Sequence, residues 1–234
     1  MLFKINGERN SGTRFLAQLI ETNLGKIFVQ TEKNNRTYFW KHGVPDKNIK
    51  KLDTIVVDIF IFRSLNKWLI SMFKNPYHLI KINNFNTFLT TKHKTCEFTK
   101  HGNKLIPLNK YGNTNLPLNY EDINKTIFEI RYYKYKHMLD YYKNNNHVIF
   151  VSLDFIQNNS NCCLFLNAIK NAYNIKPKFN HWRFIEHHSK TKNLGKERNY
   201  NININNFNDL IESKMDKSIE ESKNNLTFKI KKDR

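Results

Sequence analysis

Glycine and proline are scarce in this chain, at 7 and 5 residues, which rules out a collagen-like or low-complexity Gly/Pro protein. Long apolar runs are missing as well. The longest, from Thr54 to Phe62, is interrupted by Asp58 and falls far short of the roughly 20 residues that a membrane-spanning helix needs. Cysteine is limited to Cys96 and the neighbours Cys162 and Cys163, without metal-ligand spacing. A sparse, odd set of this kind excludes a disulfide framework and fits a reducing compartment. No signal peptide precedes the first turn signal, Asn6-Gly7, so the expected location is the cytoplasm.

Acidic residues are also few, 20 against 39 Lys and Arg, for a net charge of +19. Such a surplus is the usual footprint of a nucleic-acid or anionic-surface partner. The 36 asparagines and the many Ile, Phe and Tyr point elsewhere. Together with Lys, these are the residues that an AT-rich genome over-produces, so the lysine excess reads as a solvated surface. The informative cations are the scarce arginines: Arg9, Arg14, Arg36, Arg63, Arg131, Arg183, Arg198 and Arg234. What is abundant is apolar material. With 39% hydrophobic and 14% aromatic residues over 234 positions, global disorder is excluded and one domain spanning residues 1–234 is expected.

Apolar periodicity orders that domain. Leu2 to Ile5 reads as a strand closed by Asn6-Gly7, followed by a helix over about Ser11 to Asn23 and a Gly25 stop. Short strands are expected at Ile27 to Val29 and Tyr38 to His42. The β-branched run from Thr54 to Phe62 suits a central parallel strand, and Leu65, Trp68, Leu69 and Met72 mark one helix face behind it. Residues 92–120 are polar and read as an insertion or lid. A long helix is expected from Tyr120 to Tyr142, a buried strand at His147 to Val151, and helices at Cys163 to Tyr173 and Asn206 to Glu221. A frayed basic tail is expected over about 226–234. Strands alternating with helices predict an α/β three-layer sandwich around a mostly parallel sheet.

The chemistry gathers at the first strand-to-helix turn, Gly7-Glu8-Arg9-Asn10-Ser11-Gly12-Thr13. Small residues there let backbone N–H groups converge on an anion at the positive end of a helix. The Gly7-x4-Gly12 spacing matches a nucleotide-hydrolase loop, but Thr13-Arg14 stands where such loops continue with Lys and then Ser or Thr. An ordinary ATPase or GTPase is therefore disfavoured. Farther on, Arg63 falls at the end of the long strand and Ser71 eight positions later. Ligands of open α/β sheets bind at the carboxyl ends of strands, so this pair is placed to grip a second phosphate.

Together these pieces resemble the PAPS-dependent sulfotransferases. Asn10-Ser11-Gly12-Thr13 lies in register with the family's Lys-Ser-Gly-Thr loop, and Arg63 with Ser71 reproduces its 3′-phosphate motif. Trp40-Lys41-His42-Gly43-Val44-Pro45 is similar to the segment that holds the catalytic His, although His42 directly follows Lys41. Val148 to Ile156 is similar to a later family strand and its Arg-Tyr-Glu-Asp-Leu-like end, and Lys190 to Arg198 to the basic Gly-containing loop near the 3′-phosphate. The likeness is closest to a branch with a Gly-Glu-Arg-Asn-Ser-Gly-Thr loop, met in microbial and viral proteins; for a viral member the compartment is the host cytoplasm.

The resemblance implies a P-loop-like fold and sulfuryl transfer from PAPS, as co-substrate, to a hydroxyl or amine of an acceptor such as a glycan or small molecule. It requires no metal. It implies nucleotide contacts from Arg9, Asn10, Ser11, Gly12, Thr13, Arg14, Arg63, Ser71, Lys192, Gly195 and Lys196. His42 would be general base, Arg9 would neutralise the leaving side, and Lys41, Arg131 and Lys134 would meet acceptor or nucleotide. One departure matters: Asn10 stands where the family has its loop lysine, which puts catalysis in question more than binding. The alternatives are a phosphotransferase or NTPase with Asp58 as its strand acid, and a non-catalytic nucleotide- or nucleic-acid-binding protein.

Overall fold

A computed structural model of the chain describes residues 1–25, 42, 54–76, 82–94, 98–101, 104–107, 124–185 and 227–230. In chain order these form β1 (Leu2–Gly7), α1 (Thr13–Leu24), β2 (Val56–Phe62), α2 (Leu65–Lys74), α3 (Phe85–Thr90) and β3 (His93–Lys94). There follow β4 (Phe98–His101), β5 (Lys104–Pro107), β6 (Asn124–Lys125), α4 (Ile127–Asn144), β7 (His147–Ser152), α5 (Leu153–Ile156), α6 (Asn159–Tyr173) and β8 (Thr227–Ile230). The main sheet runs β1-β2-β7-β8; the first three strands are parallel and β8 is antiparallel to β7. The chain is thus α/β with a parallel three-stranded core.

The β-branched run makes β2 the central strand, and its alternation divides the core. Val57, Ile59 and Ile61 pack with Leu16 and Leu19 of α1 and Phe165 and Ile169 of α6. Phe60 and Phe62 face Tyr135, Met138 and Tyr141 of α4. A third cluster joins Trp68 and Leu69 of α2 to Phe88 of α3 and Ile127 of α4. Each fully buried side chain of this size stabilises by about 1.5–3 kcal/mol. That sum offsets the several kcal/mol needed to bury Lys4 and Asp58, cross-strand neighbours within the same sheet.

Several boundaries and one terminal element differ from the sequence reading. The long helix starts at Ile127, not Tyr120, because Thr126 and Glu129 form a reciprocal capping box. The helix expected from Cys163 begins at Asn159, capped by the Asn158 side chain. Within the stretch expected as a loose lid, residues 92–120, β4 and β5 pair as an antiparallel hairpin, and β3 pairs with β6, which lies beyond that stretch. The expected tail is in part a strand: alternating Thr227-Phe228-Lys229-Ile230 pairs along β7. α3 had no counterpart in the sequence reading. The strands expected at Ile27 to Val29 and Tyr38 to His42, His42 itself excepted, and the helix at Asn206 to Glu221 lie outside the described residues. Among the described residues no helix is long and apolar enough to cross a membrane.

Candidate functional site

The register of the sheet brings three strand ends together. Gly7 is level with Ile61, and Phe62 with Ser152, so the turns after β1, β2 and β7 emerge side by side. The first of these is the glycine-containing loop. Asn10 (φ 62°) and Gly12 (φ 96°) take left-handed conformations, and Ser11 folds back onto the Glu8 carbonyl through its N–H (3.2 Å) and its hydroxyl (2.6 Å). A Cβ on Gly7 would strike the Ile61 carbonyl and stand 2.6 Å from Ser11 Oγ, so only glycine lets the loop leave the sheet this closely. Among the described residues α1 begins with no side-chain cap, and its first turn holds no acidic residue to offset the positive end of the helix.

Helix α2 holds this loop in place. Trp68 Nε1 donates to the Arg9 carbonyl at 2.9 Å. The Asn10 amide is directed at the carboxyl end of α2, 3.3 Å from the Ser71 carbonyl and 3.2 Å from that of Asn75. Asn10 therefore ties the loop to the end of α2, adding a donor to the Ser71 carbonyl, which also accepts from the Asn75 N–H at 3.0 Å. Arg63 directly follows β2; burial pulls its guanidinium below the usual range, while Asp154 opposes the shift. Its Nε is buried and has no hydrogen-bond partner among the described residues. Asp154 accepts from Ser64 N–H (3.1 Å) and Lys67 Nζ (2.8 Å) at the start of α2. Burial pushes the Asp154 carboxyl up, but the Lys67 ammonium and the Ser64 N–H outweigh it and hold the group below the ordinary value.

Helix α4 closes the site from the other side. Arg131 and Lys134 lie one turn apart and are both buried. Arg131 Nη1 reaches Glu8 Oε2 at 3.0 Å, and Nη2 donates to the Arg63 carbonyl at 2.8 Å. Its guanidinium carbon is 4.7 Å from the Trp68 ring centroid and 4.6 Å from that of Tyr135. Lys134 Nζ donates to the His42 carbonyl at 3.1 Å, and His42 Nδ1 is 2.7 Å from the Gly7 carbonyl. Because a carbonyl only accepts, Nδ1 carries the hydrogen and Nε2 is the basic nitrogen of the ring.

Of the residues singled out in the sequence, Arg9 to Thr13 form the turn into α1, and Arg63 follows β2. Arg131 reaches the Arg63 carbonyl, Lys134 the His42 carbonyl and His42 the Gly7 carbonyl, while Ser71 meets Asn10 through its backbone carbonyl. Arg14 follows on α1, where it is exposed. Lys41, Lys192, Gly195 and Lys196 lie outside the described residues. Glu8, Trp68, Tyr135 and Asp154 belong to the same cluster and carried no such role in the sequence reading. Glu8 had a usable signal, an acid inside an otherwise basic and polar loop. Asp58 stands apart from the strand ends: Asn6 Nδ2 donates to its Oδ1 and Tyr141 Oη to its Oδ2, both at 2.7 Å. Among the described residues no three His, Cys, Asp or Glu side chains are grouped to hold a metal ion. No family model, curated protein or solved structure matches this chain.

Proposed function

We propose that this chain is a PAPS-dependent sulfotransferase with a three-layer α/β, P-loop-like fold. The observation that carries the reading is the meeting of two sequence-distant motifs at one end of a parallel sheet. The loop over residues 7–13 is docked by Asn10 onto the helix that bears Ser71, and Glu8 is joined through Arg131 to the backbone of Arg63. An adenosine carrying a 5′- and a 3′-phosphate needs two such anion sites a nucleoside apart. The uncapped start of α1 and the loop amides suit the first, and Arg63 with Ser71 suits the second.

In this reading an acceptor oxygen or nitrogen attacks sulfur in line. The bond from sulfur to the 5′-phosphate oxygen breaks, and its electron pair stays with adenosine 3′,5′-bisphosphate. His42 Nε2 takes the acceptor's proton, its ring held by the Nδ1–H bond to the Gly7 carbonyl. The loop amides and Arg9 stabilise the charge that grows on the leaving oxygen. Residues 75–120 are the expected source of acceptor contacts. An NTPase reading loses support because Asp58, its strand acid, lies three residues before the level of the loop and is committed to Asn6 and Tyr141.

Thermal-shift titration tests the proposal with adenosine 3′,5′-bisphosphate, ATP with magnesium, and single-stranded DNA. Selective stabilisation by the bisphosphate is expected. A larger shift with ATP and magnesium would favour the NTPase, and one with DNA that fades steeply with salt would favour the nucleic-acid binder.

A further inference from the structure

We propose that Glu8 and Arg131 form a positioning brace that sets the shape of the nucleotide loop, and that Arg131 acts through the loop rather than on a ligand. Both carboxylate and guanidinium are nearly inaccessible, at 2% and 5% side-chain exposure. The two Nη groups of Arg131 already serve Glu8 and the Arg63 carbonyl, and two aromatic rings lie within 5 Å of its guanidinium carbon. Trp68, one of those rings, also donates to the Arg9 carbonyl. A single side chain thereby fixes residue 8 of the loop, the end of β2 and the helix that docks residues 9 and 10. A buried ion pair stabilises a fold little better than well-packed apolar groups, so its use here lies in the geometry that it enforces.

The inference rests on the sulfotransferase reading for its ligand, but not for its physics. The test uses the full chain with Glu8→Gln, Arg131→Gln and the double variant. The double variant removes both charges together, leaving neither buried and unpaired, and so guards against a misfolded single. Calorimetric titration with adenosine 3′,5′-bisphosphate is expected to show each single variant binding about tenfold more weakly, with the double variant as weak as the worse single and no weaker. A ligand-contacting Arg131 gives a different pattern, in which Arg131→Gln weakens binding and Glu8→Gln leaves it unchanged or tightens it. That pattern, or unchanged binding by the folded double variant, overturns the brace. Hydrogen exchange at the backbone amides of residues 9–12, without nucleotide, is the second readout. Faster exchange in the double variant is expected, and unchanged protection would overturn the proposal. If the native chain does not bind the bisphosphate, the functional reading fails and the exchange result alone decides the brace.

Discussion

Replacing Gly12 by Ala probes the loop at the point where backbone conformation and packing coincide. The residue sits at φ 96°, where a Cβ is disfavoured, at a cost of about 1–2 kcal/mol for an L residue in left-handed space. The added carbon would also stand 2.8 Å from Leu153 Cδ1 and 3.0 Å from Cδ2. Leu153 is 1% exposed and packed in the core with α1, so it cannot swing aside freely, and overpacking of this kind costs about 1–3 kcal/mol. The expected total is about 2–5 kcal/mol, a large share of the roughly 5–15 kcal/mol by which domains are stable. Urea unfolding of Gly12→Ala in native and Leu153→Ala backgrounds separates the two causes. Leu153→Ala is itself costly, but it removes the clash, so Gly12→Ala should then cost only the conformational part, about 1–2 kcal/mol. An equal cost in both backgrounds would refute the packing argument. A cost below about 0.5 kcal/mol in the native background, the scale of an ordinary surface change, would refute the left-handed turn.

The buried pair under the loop predicts a pH dependence. Burial lowers the Lys4 ammonium to about 7, against the opposing attraction of Asp58, while the unfolded chain keeps that proton up to 10.5. The unfolded state therefore binds more protons between those values, and stability should rise with pH across that window. Asp58 is raised by burial, against Lys4, Tyr141 and Asn6, so its contribution falls as pH rises from 3.8 toward its folded value. Urea midpoints at both ends of the Lys4 window should lose their rise in Lys4→Met, and an equal rise in native and variant chains would contradict the assignment. For the proposed reaction, His42→Ala should slow sulfation by about 10²–10⁴-fold while leaving bisphosphate binding in place. Unchanged turnover would remove His42 from the chemistry.

Much of the sheet was legible because its strands are short apolar runs. Leu2 to Ile5, Thr54 to Phe62 and His147 to Val151 announce themselves, and the helix behind Arg63 is written in Leu65, Trp68, Leu69 and Met72. What failed were elements whose signal is local and polar. α3 rests on an Asn84 cap and three apolar residues in six, too few for a period. The start of α4 was written in the Thr126-x-x-Glu129 capping box and was overrun by the apolar stripe upstream. Strand β8 hid behind its lysine, although its alternation matched an edge strand. In the candidate site, the loop and the Arg63 and Ser71 positions were marked out by spacing and by strand ends, and His42 by the family resemblance. The Glu8–Arg131 contact was not, because the partners are 123 positions apart and a basic helix face ordinarily points to solvent.

The central claim is that the turn after β1 and the Arg63–Ser71 pair bind the two phosphates of one adenosine. Calorimetric titration of adenosine 3′,5′-bisphosphate against adenosine 5′-monophosphate, in the native chain and in Arg63→Ala, tests it directly. The account predicts that the 3′-phosphate tightens native binding by about tenfold or more, the worth of one charge-assisted contact. It further predicts that Arg63→Ala erases this advantage. Equal affinity for the two nucleotides in the native chain, or an advantage that survives Arg63→Ala, would contradict it.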